Sequence, residues 1–108
     1  MNVDLIKKYQ DKINEACLTF KVEELYAFGS VLTERFNKDS DIDFIVSIAS
    51  DDPIEYAENY LDLKFALEYL FKRKIDLLEK KAIRNKTFEN LINQQKTLVY
   101  ARRTEGVA

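Results

Sequence analysis

Two aspartates, Asp41 and Asp43, stand two residues apart at the head of an apolar run, "DIDFIVSI". On a β-strand that spacing points both side chains the same way, with Cα atoms about 6.7 Å apart at a rise of roughly 3.3 Å per residue. Carboxylates held so can converge on shared hard cations. Mg²⁺ prefers a few carboxylates together with substrate phosphates over an all-protein cage. Two such ions about 3.5–4 Å apart are the common arrangement for in-line attack on phosphorus. A third carboxylate, Asp76, lies in "KIDLLE", a second strand-like stretch. If the two strands are neighbours, the three acids form one cluster. Plainer readings exist. Asp41 alone reads as a turn residue, and Asp76 fits an exposed strand face equally well. Asp43 is harder to dismiss, because an unpartnered carboxylate inside an apolar run is costly.

Ahead of the aspartates, Gly29 and Ser30 follow an aromatic-rich stretch, "ELYAF". Glycine lets a ligand approach the backbone closely. A serine at a helix start adds a hydroxyl beside free N–H groups, which suits a phosphate. On its own a Gly-Ser pair is as well explained by a turn. The second glycine and the Lys-Ser/Thr of a phosphate-binding P-loop are missing, and so is a dinucleotide fingerprint. Asp39, Asp41 and Asp43 imitate the opening of a calcium loop, but Phe44 and Ser50 stand where that loop needs Gly and Glu. The chain has no histidine, which removes Ser-His and Cys-His catalysis and the usual general base. Cys17, the single cysteine, falls on the apolar side of a helical pattern and reads as a small buried hydrophobe. Any chemistry must rest on carboxylates, hydroxyls, Lys, Arg and metal ions.

The elements that position these residues follow from periodicity. Ile6, Tyr9, Ile13, Cys17 and Phe20 recur at helical spacing and predict one amphipathic helix over Val3–Phe20. Glu24–Phe28 is predicted as a strand stopped by Gly29. Ser30 is read as the N-cap of a short helix reaching about Phe36, with the polar turn "NKDS" after it. Asp41–Ile48 alternates, with Ile42, Phe44, Val46 and Ile48 on one face and Asp41, Asp43, Ile45 and Ser47 on the other. Pro53 suits the start of a long helix to about Phe71. Its stripe is Tyr56, Tyr60, Leu63, Leu67 and Leu70, and its charged side, Glu55, Glu58, Asp62, Glu68 and Lys72, is read as solvated. Lys74–Glu79 is a third strand, Thr87–Gln95 a short helix and Thr97–Ala101 a last edge strand. The order predicts a small mixed β-sheet flanked by helices, in the α/β or α+β class.

A chain of 108 residues, 46% hydrophobic, fits one domain over residues 1–108 with one core, and 101–108 is expected to be a frayed tail. With 17 basic and 19 acidic residues the net charge is −2, without the basic excess of a duplex binder. The N-terminus lacks a signal-peptide pattern and no apolar run reaches membrane-spanning length, so a cytoplasmic location is the default expectation.

Gly-Ser, nine intervening residues, then Ser-Asp-x-Asp before an apolar run resembles the signature of the DNA polymerase β-like nucleotidyltransferase superfamily, and most of all its minimal branch. Gly29, Ser30, Ser40, Asp41, Asp43 and Asp76 fall at matching places, and the resemblance runs from about Val3 to Tyr100. It implies the nucleotidyltransferase fold and an Mg²⁺-dependent transfer of a nucleoside monophosphate, AMP from ATP foremost, to an acceptor hydroxyl. By position, Asp41 and Asp43 would bind Mg²⁺, with two ions expected in all. Asp76 would bind the ion that activates the acceptor, while Ser30 and the Gly29 backbone would hold the triphosphate. The segment after Gly-Ser departs from the minimal branch, whose members often carry "Ala-Arg-Gly" there. This chain has "VLTERFNKD", with Glu34 where the glycine often falls. Arg35 could still supply a cation to phosphate, and a surface ion pair would serve it equally well. Members of the branch are often paired with a helical protein of the HEPN type, as an antitoxin that can adenylylate a tyrosine of the partner. The resemblance implies that role here. Transfer to a small molecule ranks lower, because its enzymes usually carry an added acceptor domain. The reading from a different class is a catalytically silent module that neutralises a partner by contact. Acceptor, base preference and oligomeric state, a homo-oligomer included, are left open by the sequence.

Overall fold

The computed structural model describes residues 3–102; residues 103–108 of the expected frayed tail lie outside the described residues. The elements are α1 (Val3–Lys8), α2 (Gln10–Thr19), β1 (Val22–Phe28), β2 (Ile42–Ile48), α3 (Pro53–Phe71), β3 (Ile75–Glu79), α4 (Lys86–Gln95) and β4 (Thr97–Ala101). Short 3₁₀ turns follow β1 (Gly29–Leu32) and β3 (Lys80–Ala82). The strands form one mixed sheet in the order β3-β2-β1-β4. The pairs β1–β2 and β1–β4 are antiparallel and β2–β3 is parallel. That parallel pair needs a crossover, and α3 supplies it.

One face of the sheet carries the core. Ile42, Phe44, Val46 and Ile48 of β2, all buried, point to the face that α1, α2 and α3 cover, as the alternation predicts. Leu63, Leu67 and Phe71 of α3 and Ile13 and Cys17 of α2 meet them there. Burial pushes the Cys17 thiol up to about 12, so it remains an uncharged hydrophobe. The start of α3 is fixed locally: the Asp52 carboxylate accepts from the Ile54 N–H at 3.0 Å, with Pro53 in the first turn. Its end is a left-handed Lys72, φ 55°, whose N–H donates to the Glu68 carbonyl.

Three expectations change. The single N-terminal helix is broken at Tyr9, where the N–H bonds the Ile6 carbonyl at 3.1 Å and the chain then restarts as α2. The break lets the Tyr9 ring meet Phe71 edge-on, with centroids 5.3 Å apart. The helix expected over 30–36 is only the 3₁₀ turn Gly29–Leu32, and Ser30 lies inside it rather than capping it. The outward side of α3 is not simply charged: Ile54, Leu61, Phe65 and Tyr69 stand exposed among Glu58, Asp62 and Lys72.

The opposite sheet face is partly roofed by α4. Ile45 of β2 lies on this polar face yet is 3% exposed, with Ile92 of α4 buried nearby. The helix is capped by the Asn85 side chain, which accepts from the Phe88 N–H at 3.0 Å.

Candidate active site

The site forms on the uncovered end of that second face. Asp43 and Asp76 are direct partners in the parallel β2–β3 ladder, and Phe28 is the β1 partner of Asp43. Residues directly opposite on neighbouring strands share a face, so two acids 33 positions apart in sequence are brought side by side. Asp41 sits just before β2, next to them. The sheet thereby sets Asp76 beside Asp43, with Asp41 at the entry to β2.

The backbone after β1 closes the site from the other flank. Gly29 adopts φ +78°, and a Cβ built on it would lie 2.5 Å from Oδ2 of Asp43. Both facts require glycine: a side chain would collide with the carboxylate, and the left-handed backbone disfavours other residues. The glycine is therefore what allows the 3₁₀ turn to lie directly against Asp43. Ser30 follows in that turn, half-buried, and its carbonyl accepts from the N–H and hydroxyl of Thr33.

Electrostatics mark Asp43. Burial, then a hydrogen bond to Asp76, then the charges of Asp76 and Asp41 push its carboxyl up to about 6. Three acids so placed repel, and a cation relieves them. In the protein alone that cation is Lys74, whose Nζ lies 3.9 Å from Oδ2 of Asp41 and 3.9 Å from Oδ1 of Asp76. Among the described residues no three acidic side chains are drawn together into a ready coordination sphere. The donor set is all carboxylate oxygen, which suits a hard ion such as Mg²⁺, and an ion there would take over the charge compensation that Lys74 supplies at longer range.

The remaining predicted residues hold the loop before Asp41. The Ser40 hydroxyl accepts from the Asn37 N–H at 3.0 Å, closing the turn that delivers Asp41 to β2. Its carbonyl accepts from Nη1 of Arg73 at 2.8 Å, and the same nitrogen donates to the Asn37 carbonyl at 3.0 Å. Arg35 is exposed on this loop. Its N–H donates to the Thr33 hydroxyl, and among the described residues it forms no ion pair with the three acids. Sequence reasoning missed Arg73 and Lys74. Arg73 also stacks its guanidinium 4.5 Å over the Phe36 ring, so it clamps the loop at three points. The only signal was their place, two cations directly before "ID" of the third strand.

The model of the family described as polymerase beta, nucleotidyltransferase, matches residues 11–105, and the chain belongs to that family. No curated protein matches the sequence. Among solved structures, one described as a candidate minimal nucleotidyltransferase superposes with a TM-score of 0.72 at 18% identity, covering 90% of this chain and 95% of that one. A toxin–antitoxin structure with AMP-PNP aligns with a TM-score of 0.66 at 21% identity, over 87% of this chain and 74% of that one. A third is the complex of a tri-AMPylated HEPN toxin with an MNT antitoxin from Shewanella oneidensis, with a TM-score of 0.57 at 21% identity over 90% and 73%. At these identities the likeness establishes a shared nucleotidyltransferase fold.

Proposed function

We propose that this protein is an Mg²⁺-dependent nucleotidyltransferase that moves AMP from ATP to an acceptor hydroxyl, and that the acceptor is a tyrosine of a HEPN-type toxin partner, which it counteracts as an antitoxin. The observation that carries the transfer reading is the Asp43–Asp76 ladder pair, with Asp41 beside it and the Gly29 backbone pressed against Asp43. The HEPN partner is supported by two structural neighbours that are toxin–antitoxin complexes, one of them with an AMPylated toxin.

Asp41, Asp43 and Asp76 would hold two Mg²⁺ ions, which when bound neutralise phosphate charge and lower the pKa of the attacking hydroxyl. The Gly29 backbone and Ser30 bind and orient the triphosphate. Ser40 holds the turn that aims Asp41, and Arg35, exposed on the loop after Gly29–Ser30, supplies a cation to the phosphates. The acceptor oxygen forms a bond to the α-phosphorus, and the bond from that phosphorus to the α,β-bridging oxygen breaks. Pyrophosphate carries away the electron pair, and the hydroxyl proton passes to solvent or to Asp76. The whole chain acts as one transferase domain, with the acceptor supplied by its partner.

The test is transfer of label from α-labelled ATP with Mg²⁺ to a co-expressed HEPN-type partner, against Asp43→Asn shown to be folded. Label on a partner tyrosine with wild type only is the expected result. A partner still neutralised by Asp43→Asn, with no label moved by either protein, would show the silent contact module instead.

A further inference from the structure

The α4-side face holds a cavity of about 350 Å³ that none of the roles above uses. Tyr26 and Ile45 form its floor, Ile83 and Ile92 its apolar roof, and Glu89 and Asn93 face it from one side of α4. Its volume falls within the usual range of small-molecule sites, and its make-up matches them too: apolar walls with a few polar groups.

Its place in the sheet decides what it can take. Phe28, Asp43 and Asp76 form one rung across β1, β2 and β3. Tyr26, Ile45 and Leu78 form the rung two residues along, about 7 Å away. In an in-line displacement, nucleophile and leaving group lie on opposite sides of the phosphorus. With pyrophosphate held at Gly29–Ser30 on the β1 side, the acceptor must arrive from the β3 side, past Asp76. Both reacting partners therefore lie along the first rung. The remaining carbon-bearing substituent of the α-phosphate, the nucleoside, leaves across that axis, away from the sheet or along the strands. In the direction of Ile45 it meets the cavity at the distance a ribose spans.

We infer that this cavity between α4 and the sheet is the nucleobase pocket of the transferase. Tyr26, Ile45, Ile83 and Ile92 provide walls for a flat heterocycle. The Asn93 carboxamide offers a donor and an acceptor to the base edge, and Glu89, one turn earlier, accepts from an exocyclic amine. Lys96, with Nζ 4.1 Å from the centroid of the Tyr26 ring, brings positive charge to the side of the cavity nearer Phe28, while Lys80, paired to Glu24 at 3.2 Å, closes the opposite end.

The inference rests on the transferase reading, and calorimetry separates their failures. ATP and inorganic tripolyphosphate are each titrated with Mg²⁺ into wild type, Asn93→Trp and Ile83→Trp, the last two filling the cavity from exposed or half-exposed positions. The expected result is that wild type binds ATP at least tenfold more tightly than tripolyphosphate. Either Trp variant should lose that advantage while its tripolyphosphate affinity changes less than twofold. If wild type binds both equally, or if both folded Trp variants bind ATP like wild type, the base does not sit in this cavity and only the pocket is overturned. If neither compound binds wild type, the transferase reading falls and the pocket with it.

Discussion

Asp43 shows how one residue can be costly to the fold and necessary to the site. Its carboxyl is pushed from an ordinary 3.8 up to about 6, so the folded protein holds that proton more tightly than the unfolded chain does. Below about pH 4 both states are protonated and the group costs nothing. Between about pH 4 and 6 the unfolded chain releases its proton first and stability falls, and above about 6 the penalty is complete. Taken whole, the shift would amount to about 3 kcal/mol. Solvent reaches the site, so the screened effect is on the order of 1 kcal/mol. Asp43→Asn, which keeps the uncharged form at every pH, is therefore expected to stabilise the protein in EDTA at pH 7.5. The gain should shrink to nothing near pH 4, and urea denaturation at both pH values measures it. A variant less stable than wild type at pH 7.5 would show that Asp43 is a satisfied structural acid. Gly29 makes the same point sterically, since the contact that requires glycine there is with Asp43 itself.

Among the elements, α3 matters most to the site, because its crossover is what sets β3 parallel to β2 and puts Asp76 beside Asp43. Its first turn is held by the Asp52 cap, and by Glu55, which accepts from Lys21 at 2.9 Å and from the Ser50 hydroxyl at 2.8 Å. Those bonds hold the Glu55 carboxyl below its ordinary range. Removing a helix N-cap costs about 1 kcal/mol. Asp52→Ala is thus expected to lower unfolding stability by about that amount with no change in the affinity for Mg²⁺-ATP, because the cap lies at the far end of the β2–α3 connection from the carboxylates. Denaturant melts and calorimetry on the same protein check both halves. A loss of nucleotide affinity would mean that the N-terminus of α3 aims β2. The element boundaries were largely legible in the residues: alternation marked β2, Pro53 marked the start of α3, and the apolar period carried it to Phe71. The break at Tyr9 was not, because no proline or glycine announces it and the ring that Tyr9 meets there, Phe71, is distant in sequence.

At the level of the molecule, one core on one side of the sheet carries the stability and the other side is left for chemistry. Leu67 is fully buried between α3 and the sheet. Truncating a buried leucine costs about 2–5 kcal/mol, against a total of about 5–15 kcal/mol for a domain of this kind. Leu67→Ala should therefore lower the melting temperature by about 10 °C or more while leaving cooperative unfolding intact. Calorimetric unfolding tests this, and an unchanged melting temperature would place the core elsewhere. The chain's residue types and spacings were enough to exclude histidine chemistry, to mark Asp43 as an acid out of place in an apolar strand with Asp41 and Asp76 as candidates to join it, and to point to a mixed sheet, because each of these depends on neighbours within a few positions. Whether Asp76 stands beside Asp43, that Lys74 bridges two of the acids, that Arg73 clamps the loop before Asp41, and that α4 roofs Ile45 to leave a cavity were decided by the tertiary fold. Those relations join residues tens of positions apart, and only the pairing order of the strands and the path of the crossover helix bring them within contact distance.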